Sequence, residues 1–345
     1  MNTVFLDFGT FGGTLGATSD GNLRGASGTG LNPSTLNLDL IEQAASSLSV
    51  FDFTDPSQLI ARAQHADVII TNKVILNAKS LAQLTKLKLI CVAATGTNNI
   101  DLVAAKQHGI TVCHAKDYAG PAVAQYIFAQ LLQLFHNIPH HNANTRQNHW
   151  SQSHWSQSRS FCLHSQPIYE LAGKTIGLIG YGHIAQAVEH IANAFNMRVL
   201  IAERPNQSHI RGGRLPFEQV LAQADVLTLH CPLSASTEHL FNRERFSLMK
   251  PNAILINTAR GGLIDDNALL DALTSGQLAH AIIDVLDQEP PPSNHPLLSS
   301  KLANLTITGH IAWASQEAQQ RIIDIVAANM TAFANNVPIN TVVSV

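Results

Sequence analysis

The first third of the chain alternates short apolar runs with segments of helical periodicity. The strand-like runs are residues 3–7, 66–72, 87–94 and 110–113, and the helical segments between them are residues 39–45, 81–84 and 99–108. Continuous apolar runs of this length are typical of strands that are buried on both faces. Their alternation with helices predicts β-α-β units and a parallel sheet.

A second series of the same kind begins at Lys174. Its strand-like runs are residues 175–179, 197–202, 226–230, 253–257, 281–285 and 305–308. Before it, residues 122–135 predict one long helix that is apolar on more than one face, which indicates burial between domains or subunits. The two series predict an α/β protein, and its 345 residues suit two domains.

Two segments do not follow this pattern. Residues 9–33 are rich in Gly, Ser, Thr and Asn, which favours a surface insertion over a phosphate-binding loop. Residues 149–153 and 154–158 repeat the same pentamer, His-Trp-Ser-Gln-Ser, inside a polar stretch. Its histidines lack Cys, Asp or Glu partners at zinc-type spacing, so we expect a solvated loop and no metal site.

The composition excludes several classes of protein. Charged residues make up 13% of the chain and the net charge is −3, so there is no basic footprint for nucleic acid. The apolar runs are shorter than the ~18–20 residues of a membrane span, and the first residues do not resemble a secretory signal. The four cysteines lack Cys-x-x-Cys spacing. We therefore expect a cytoplasmic protein with neither membrane nor nucleic acid as a partner.

A dinucleotide-binding motif follows the first strand of the second series. Gly180 allows a tight turn into a helix, and Gly182 allows the backbone to approach a pyrophosphate at the helix N-terminus. Ala185 takes the third position, which requires only a small residue. Because a strand precedes the motif and a helix follows it, the motif predicts dinucleotide binding.

The next strand ends close to Glu203, about 20 residues beyond the glycines. A carboxylate there would accept hydrogen bonds from the adenosine ribose and repel a 2′-phosphate, so Glu203 favours NAD over NADP. Arg204 is adjacent and could hold that phosphate, which leaves NADP as the less favoured coenzyme.

Polar residues end the remaining strands of the second series. Since ligands of doubly wound sheets bind beyond the carboxyl ends of the strands, these are candidate site residues. They are His230, Cys231 and Pro232, then Thr258, Ala259 and Arg260, and finally Asp284, Glu289 and His310.

Three of these segments, residues 257–265, 284–290 and 310–315, closely resemble the D-2-hydroxyacid dehydrogenase family. The likeness extends to residues 92–101 and 229–233 and so covers most of the chain. Within the family, the amino-acid sequence of residues 201–205 and 310–313 is most similar to that of the bacterial glycerate dehydrogenases, also called hydroxypyruvate reductases.

The resemblance implies an NAD(H)-dependent enzyme that transfers hydride between the nicotinamide and C2 of a 2-hydroxy acid. His310 would be the acid/base, Glu289 would orient its imidazole, and Arg260 would grip the substrate carboxylate. Backbone N–H groups of Thr95, Gly96 and Thr97 would bind the same carboxylate. Coenzyme contacts would come from Gly180, Gly182, His183, Ile184, Glu203, His230, Cys231, Pro232, Thr258, Ala259, Arg260, Asp284 and His310.

The resemblance also implies two Rossmann-like domains, each a doubly wound parallel sheet. A flavodoxin-like substrate domain, residues 1–118 and 315–345, would be discontinuous around an NAD-binding domain, residues 119–314. The helix at residues 122–135 would contribute to a homodimer.

Other functions remain open at this point. A D-lactate-type enzyme and a D-3-phosphoglycerate dehydrogenase use the same chemistry. The latter is disfavoured, because no basic cluster in the sequence marks a phosphate pocket and we expect no added regulatory domain. A formate dehydrogenase is disfavoured because Glu289 stands where a Gln would be expected. Some members of the family act as NAD-sensing corepressors, which is the alternative from a different class.

Overall fold

The computed structural model describes residues 1–12, 36–147 and 161–344. The chain divides into two compact units: unit 1 comprises Met1–Ala119 and Ala314–Val345, and unit 2 comprises Gly120–Trp313. Most of the Gly-rich segment and the whole pentamer repeat lie outside the described residues, so the predictions made for them stay predictions.

The first part of unit 1 alternates strands and helices. In chain order these are β1 (Asn2–Phe5), a 3-10 turn (Phe8–Phe11), α1 (Asp39–Ala44), β2 (Ser47–Val50), α2 (Leu59–Ala63), β3 (Val68–Thr71), α3 (Ala78–Leu81), β4 (Leu89–Val92), α4 (Leu102–Gln107) and β5 (Thr111–His114).

Unit 2 contains the longer helices and the second series of strands. Its elements are α5 (Gly120–His136), α6 (Ile138–Arg146), β6 (Thr175–Ile179), α7 (His183–Ala194), β7 (Arg198–Ile201), α8 (Phe217–Gln223), β8 (Val226–Leu229), α9 (Arg243–Ser247), β9 (Ile254–Asn257), a 3-10 turn (Gly261–Leu263), α10 (Asp266–Ser275), β10 (His280–Ile283), α11 (Pro296–Ser299) and β11 (Leu305–Ile307).

The chain then returns to unit 1 with α12 (Gln316–Ala334) and β12 (Thr341–Val343). The sheet of unit 1 has the order β12-β5-β4-β3-β1-β2. Its pairs are parallel except for β12, which lies antiparallel on β5. Without β12 this is the flavodoxin-like order, so the fold predicted for this region is confirmed.

The sheet of unit 2 has the order β11-β10-β9-β8-β6-β7 and is parallel throughout. Because β6 lies between β7 and β8, the order reverses there, and β6 and β8 flank the topological switch point. Strands β6, β8 and β9 are buried along their whole length. This confirms the predicted doubly wound sheet, since such burial requires helices on both faces.

The apolar character of α5 is explained in part within unit 2. The helix packs on α7, and Phe128 stacks on Phe195 with ring centroids 5.5 Å apart. Seven of its residues are buried. The homodimer inferred for this helix stays a prediction. None of the described helices combines the length and apolar character needed to cross a membrane.

Helix caps correct two predicted boundaries, the starts of the helices predicted over residues 81–84 and 99–108. The periodicity predicts a helix over residues 81–84, whereas α3 begins three residues earlier because the Asn77 side chain accepts from the N–H of Ser80 at 3.0 Å. In the same way Asp101 accepts from the N–H of Ala104 at 2.9 Å and sets the start of α4. Such caps satisfy N–H groups that a first helical turn leaves unpaired.

One buried carboxylate organises the switch point of unit 1. Asp7 follows β1, is 3% exposed, and accepts from the N–H groups of Asn72, Lys73 and Val74 at 2.9, 2.5 and 3.2 Å. The hydroxyl of Thr71 donates to it as well. Burial raises the pKa of Asp7 although these hydrogen bonds oppose the shift. The carboxylate therefore holds the segment that leaves β3.

We expect Asp7→Ala to lower the free energy of unfolding by about 2–4 kcal/mol, because several buried N–H groups would lose their acceptor. Urea denaturation followed by circular dichroism measures the change. Asp55→Ala is the matched control, since Asp55 is exposed in the same unit. Equal stability of the two variants would contradict the organising role of Asp7.

Candidate functional site

A cavity of about 720 Å³ lies at the switch point of unit 2. The segments that follow β6, β7 and β8 line it, as expected for a doubly wound sheet. It brings together six residues that the sequence predicted as coenzyme contacts, namely Gly180, Gly182, Glu203, His230, Cys231 and Pro232.

The two motif glycines meet different constraints. Gly180 has φ 90°, and a Cβ built on it would lie 2.7 Å from the backbone nitrogen of Cys231. Only glycine fits this turn, because both the conformation and the close approach exclude a side chain. Gly182 has extended backbone and is the N-cap residue of α7. A Cβ there would meet no atom of the described residues within 4 Å, so the space in front of the helix is open.

Glu203 lies in the lining, but its carboxylate is already paired. Oε1 accepts from the N–H of Arg204 at 2.8 Å, and Oε2 accepts from Nε of Arg211 at 2.7 Å. Arg211 also donates to Oε1 through a second guanidinium N–H and to Oε2 through its backbone N–H. These hydrogen bonds, those of the Arg211 guanidinium first, hold the pKa of Glu203 well below its usual value. No sequence motif indicated Arg211 as the partner of Glu203.

The residues after β8 are uncharged at neutral pH. Burial lowers the pKa of His230 to about 3, and its Nε2 lies 3.1 Å from the hydroxyl oxygen of Thr228. Burial also raises the pKa of Cys231 to about 11, so the thiol stays protonated. Neither group is suited to proton transfer near pH 7.

A second group of polar residues follows β9, β10 and β11. Asn257 is fully buried and closes the turn after β9: its amide donates to the carbonyl of Arg260 at 2.8 Å and accepts from the N–H of Ala259 at 3.0 Å. A Cβ on Gly261 would lie 1.9 Å from the carbonyl carbon of Leu286. The Arg260 turn therefore packs directly on the segment between Asp284 and Glu289.

Glu289 and His310 form a hydrogen-bonded pair. Oε2 of Glu289 lies 2.6 Å from Nδ1 of His310, and Oε1 accepts from the N–H of Leu286 at 2.9 Å. Both side chains are partly accessible to solvent, with 34% and 26% of their surface exposed. A histidine that is oriented by a carboxylate and partly accessible to solvent suits general acid/base catalysis.

Asp284 holds the segment that presents His310. It is 1% exposed, and its carboxylate accepts from the hydroxyl of Thr308 at 2.5 Å and from the N–H groups of Ile311 and Ala312, both at 2.9 Å. Its backbone carbonyl accepts from the N–H of His310, which has φ 57°. Since an unstrained segment rarely places a histidine at positive φ, these contacts sustain that conformation.

The hydrogen bonds continue from Asp284 to α5. Thr308 contacts the hydroxyl of Tyr126 at 2.6 Å. Burial raises the pKa of Tyr126, so its hydroxyl stays protonated at neutral pH. Neither residue was singled out from the sequence, because residues 126 and 308 are far apart in the chain.

The remaining predicted residues are placed as follows. His183 and Ile184 begin α7, and Thr258 follows β9 with a buried hydroxyl that has no hydrogen-bond partner among the described residues. Thr95, Gly96 and Thr97 follow β4 in unit 1, where the carbonyl of Thr95 contacts Nδ1 of His114 at 2.8 Å. Their contact with substrate stays a prediction.

Three side chains that the sequence did not indicate as a site, His295, Asp287 and Asp266, lie close together. Nε2 of His295 lies 3.0 Å from Oδ1 of Asp287 and 3.4 Å from Oδ2 of Asp266. Among the described residues, Asp266, Asp287 and His295 form the group of His, Cys, Asp and Glu side chains whose ligand atoms lie close enough together to hold a metal ion. It connects the start of α10 to the segment that carries Glu289.

The model of the D-isomer specific 2-hydroxyacid dehydrogenase NAD-binding domain matches residues 128–312. The chain belongs to the D-2-hydroxyacid dehydrogenase family. This confirms the resemblance found in the sequence. It also confirms that the second α/β series is an NAD-binding domain.

The relatives of this dehydrogenase include enzymes with named substrates. The glycerate dehydrogenase of Methylorubrum extorquens is 41% identical over 287 residues, 83% of this chain and 88% of that protein. The hydroxypyruvate reductase of Blautia hydrogenotrophica is 36% identical over 318 residues, 90% of this chain and 96% of that protein. A solved structure of the acyclic imino acid reductase Bsp5, in complex with NADPH and D-Arg, is 26% identical, with a TM-score of 0.78 over 99% of this chain and 100% of that one.

We expect alanine substitutions of the two motif glycines to have different effects. Gly180→Ala should lower Tm by several degrees, because the methyl group meets backbone atoms at 2.7–2.8 Å in a left-handed conformation. Gly182→Ala should leave Tm unchanged but weaken NADH binding, because it fills the space in front of α7. Differential scanning fluorimetry and quenching of NADH fluorescence measure the two effects. Equal losses of stability would contradict the structure of this turn.

Asp266→Asn should alter how stability depends on pH. Burial raises the pKa of Asp266 to about 6, so its stabilising contribution is complete below the usual Asp pKa of ~3.9 and is lost as pH rises through about 6. The free energy of unfolding of the variant, relative to that of the wild type, should therefore increase by on the order of 1–3 kcal/mol between pH 4 and 7. Denaturant unfolding at each pH measures this, with the exposed Glu218→Gln as control. A difference that does not change with pH would contradict the shift.

Proposed function

We propose that this dehydrogenase reduces hydroxypyruvate to D-glycerate, and glyoxylate to glycolate, with NADH. The observation that carries the proposal is the hydrogen-bonded Glu289–His310 pair, held next to the Arg260 turn at the carboxyl edge of the coenzyme-binding sheet. The named activities of the Methylorubrum and Blautia relatives support hydroxypyruvate over other 2-keto acids.

The residues at the switch point fit a dinucleotide. The turn at Gly180 admits no side chain, the space before α7 is open, and the buried hydroxyl of Thr258 lacks a partner among the described residues. When bound, the nicotinamide supplies the hydride that reaches C2 of the keto acid. Gly180, Gly182, Glu203, His230, Cys231, Pro232, Thr258, Ala259 and Asp284 are the residues that we assign to holding the coenzyme.

His310 acts as the general acid in this proposal. Its Nδ1–H donates to Glu289, which leaves Nε2–H of the imidazolium to protonate the carbonyl oxygen as C2 is reduced. The carboxylate of Glu289 accepts from Nδ1–H, which orients the ring and selects the tautomer that remains after the transfer. In the reverse direction neutral His310 removes the proton from the hydroxyl group of D-glycerate.

Arg260 binds the carboxylate of the substrate. A planar guanidinium can donate two parallel hydrogen bonds to a carboxylate, which fixes the orientation of C2 as well as supplying charge. Thr95, Gly96 and Thr97, in unit 1, are proposed as further substrate-binding residues through their N–H groups. Unit 1 is accordingly assigned to the substrate and unit 2 to the coenzyme. The homodimer and the cytoplasmic location stay predictions.

His310→Asn should lower kcat by ~10²–10⁴-fold with a much smaller change in the Kd of NADH, because the proton donor is lost while the coenzyme site is kept. Single-turnover oxidation of NADH by hydroxypyruvate measures the chemical step. His190→Ala serves as control, since His190 is exposed on α7. Near-full activity of His310→Asn would remove His310 from the mechanism.

The substrate is tested by steady-state rates with hydroxypyruvate, glyoxylate, pyruvate and phosphohydroxypyruvate. We expect kcat/KM to be highest for hydroxypyruvate and at least tenfold lower for pyruvate. A preference for pyruvate or for phosphohydroxypyruvate would replace the proposed substrate by that of a D-lactate or D-3-phosphoglycerate enzyme. Absence of turnover with all four would favour the corepressor alternative.

A further inference from the structure

Tyr126 connects α5 to the segment that presents His310. Its hydroxyl oxygen lies 2.6 Å from that of Thr308, which is 182 positions further along the chain. The hydroxyl of Thr308 contacts the carboxylate of Asp284 in turn. The function proposed above gives neither hydroxyl group a role, although both lie on a path of hydrogen bonds that ends at the segment of the general acid.

The carboxylate of Asp284 decides the direction of these hydrogen bonds. A carboxylate can only accept, so Thr308 donates its one hydroxyl proton to Asp284. The Thr308 oxygen is then left to accept, and the donor of the second bond is Tyr126. Burial raises the pKa of Tyr126, so its hydroxyl keeps the proton that it donates. The protons are therefore ordered from Tyr126 through Thr308 to Asp284.

Both ends of this chain of hydrogen bonds lie on well-packed parts of unit 2. Two residues after Tyr126 on α5, the ring of Phe128 stacks on that of Phe195 at the end of α7. The backbone N–H of Thr308 donates to the carbonyl of Ile283 at 3.0 Å. A hydrogen bond between two anchored side chains limits the rotation of each.

The alignment of Asp284 depends on the donors around it. Asp284 is 1% exposed, so bulk water cannot replace a donor that is lost. Hydrogen bonds in a chain strengthen one another, and the bond from Tyr126 makes the Thr308 hydroxyl a stronger donor. Because the same carboxylate accepts from the N–H groups of Ile311 and Ala312, a shift of this side chain displaces the backbone next to the imidazole.

We propose that Tyr126 is a positioning residue for His310 in the reduction. Its hydroxyl fixes that of Thr308, which holds the carboxylate of Asp284 against the segment that carries the imidazole. This inference rests on the proposed role of His310 as the general acid. It gives α5 a part in the reaction in addition to apolar packing.

Tyr126→Phe removes only the hydroxyl group. We expect it to lower the single-turnover rate of NADH oxidation by hydroxypyruvate about 3–10-fold, the effect of one hydrogen bond. The Kd of NADH and the KM of hydroxypyruvate should change less than twofold. Tyr169→Phe is the matched control, since Tyr169 is exposed in the same unit and its ring contacts that of Phe135. A full rate in Tyr126→Phe, or a loss confined to KM, would overturn the proposal.

Coupling to Thr308 separates positioning from a general loss of stability. Thr308→Val removes the hydroxyl at nearly constant shape, whereas Thr308→Ser keeps it. We expect Thr308→Ser to retain the single-turnover rate within twofold and Thr308→Val to lower it at least threefold. Adding Tyr126→Phe to Thr308→Val should then cause no further loss. Losses that multiply would show that the two hydroxyls act independently and would overturn the proposal.

Amide hydrogen exchange gives a readout that needs neither substrate nor coenzyme. The peptide that covers residues 305–315 should exchange several-fold faster in Tyr126→Phe than in Tyr169→Phe, because the segment is held less firmly. Peptides from unit 1 should be unchanged. Equal exchange of the 305–315 peptide in the two variants would contradict the proposed positioning.

A further double variant distinguishes this inference from the function on which it rests. If Tyr126 acts through His310, then His310→Asn with Tyr126→Phe should turn over as slowly as His310→Asn alone. An additional loss would overturn the proposal. Near-full activity of His310→Asn would remove the proposed general acid itself, whereas an impaired His310→Asn beside a fully active Tyr126→Phe would overturn the positioning role alone.

Discussion

The buried carboxylate of Asp284 is the constraint on which the candidate active site depends. It accepts from Thr308, Ile311 and Ala312, and its own carbonyl accepts from the N–H of His310. Since a buried carboxylate without hydrogen bonds costs several kcal/mol, the segment on either side of His310 must wrap around it. The backbone of His310 is thereby held at positive φ, and in this conformation Nδ1 of its imidazole reaches Glu289.

Close backbone approaches bring the other groups to the same edge of the sheet. Gly261 lies against the carbonyl carbon of Leu286, which joins the Arg260 turn to the segment of Glu289, and Gly180 lies against the backbone after β8. In both places the missing Cβ allows two strand-end segments to touch. The chemistry proposed for Arg260 and His310 thus depends on the close backbone packing at Gly261 and Gly180.

Much of the fold and part of the site could be predicted from local sequence. The apolar runs located the buried strands, and the glycine spacing located the turn before α7, because burial and steric limits act residue by residue. The start of α3 was wrong by three residues, since the Asn77 cap outweighs apolar periodicity over one short turn. The edge strands β2 and β12 were not predicted, because four and three partly exposed residues carry too little pattern.

Local sequence was enough to establish the order of strands and turns along the chain. It also identified the groups that end the strands, including Glu203, Arg260, Asp284, Glu289 and His310. The partner of each group became known only from the folded arrangement. Arg211 compensates Glu203, His295 meets Asp266 and Asp287, and four arginines spread over residues 204–245 line one cavity. The physical reason is that charge and hydrogen bonding act over a few ångströms of space, and the parallel sheet makes neighbours of segments that are distant in the chain.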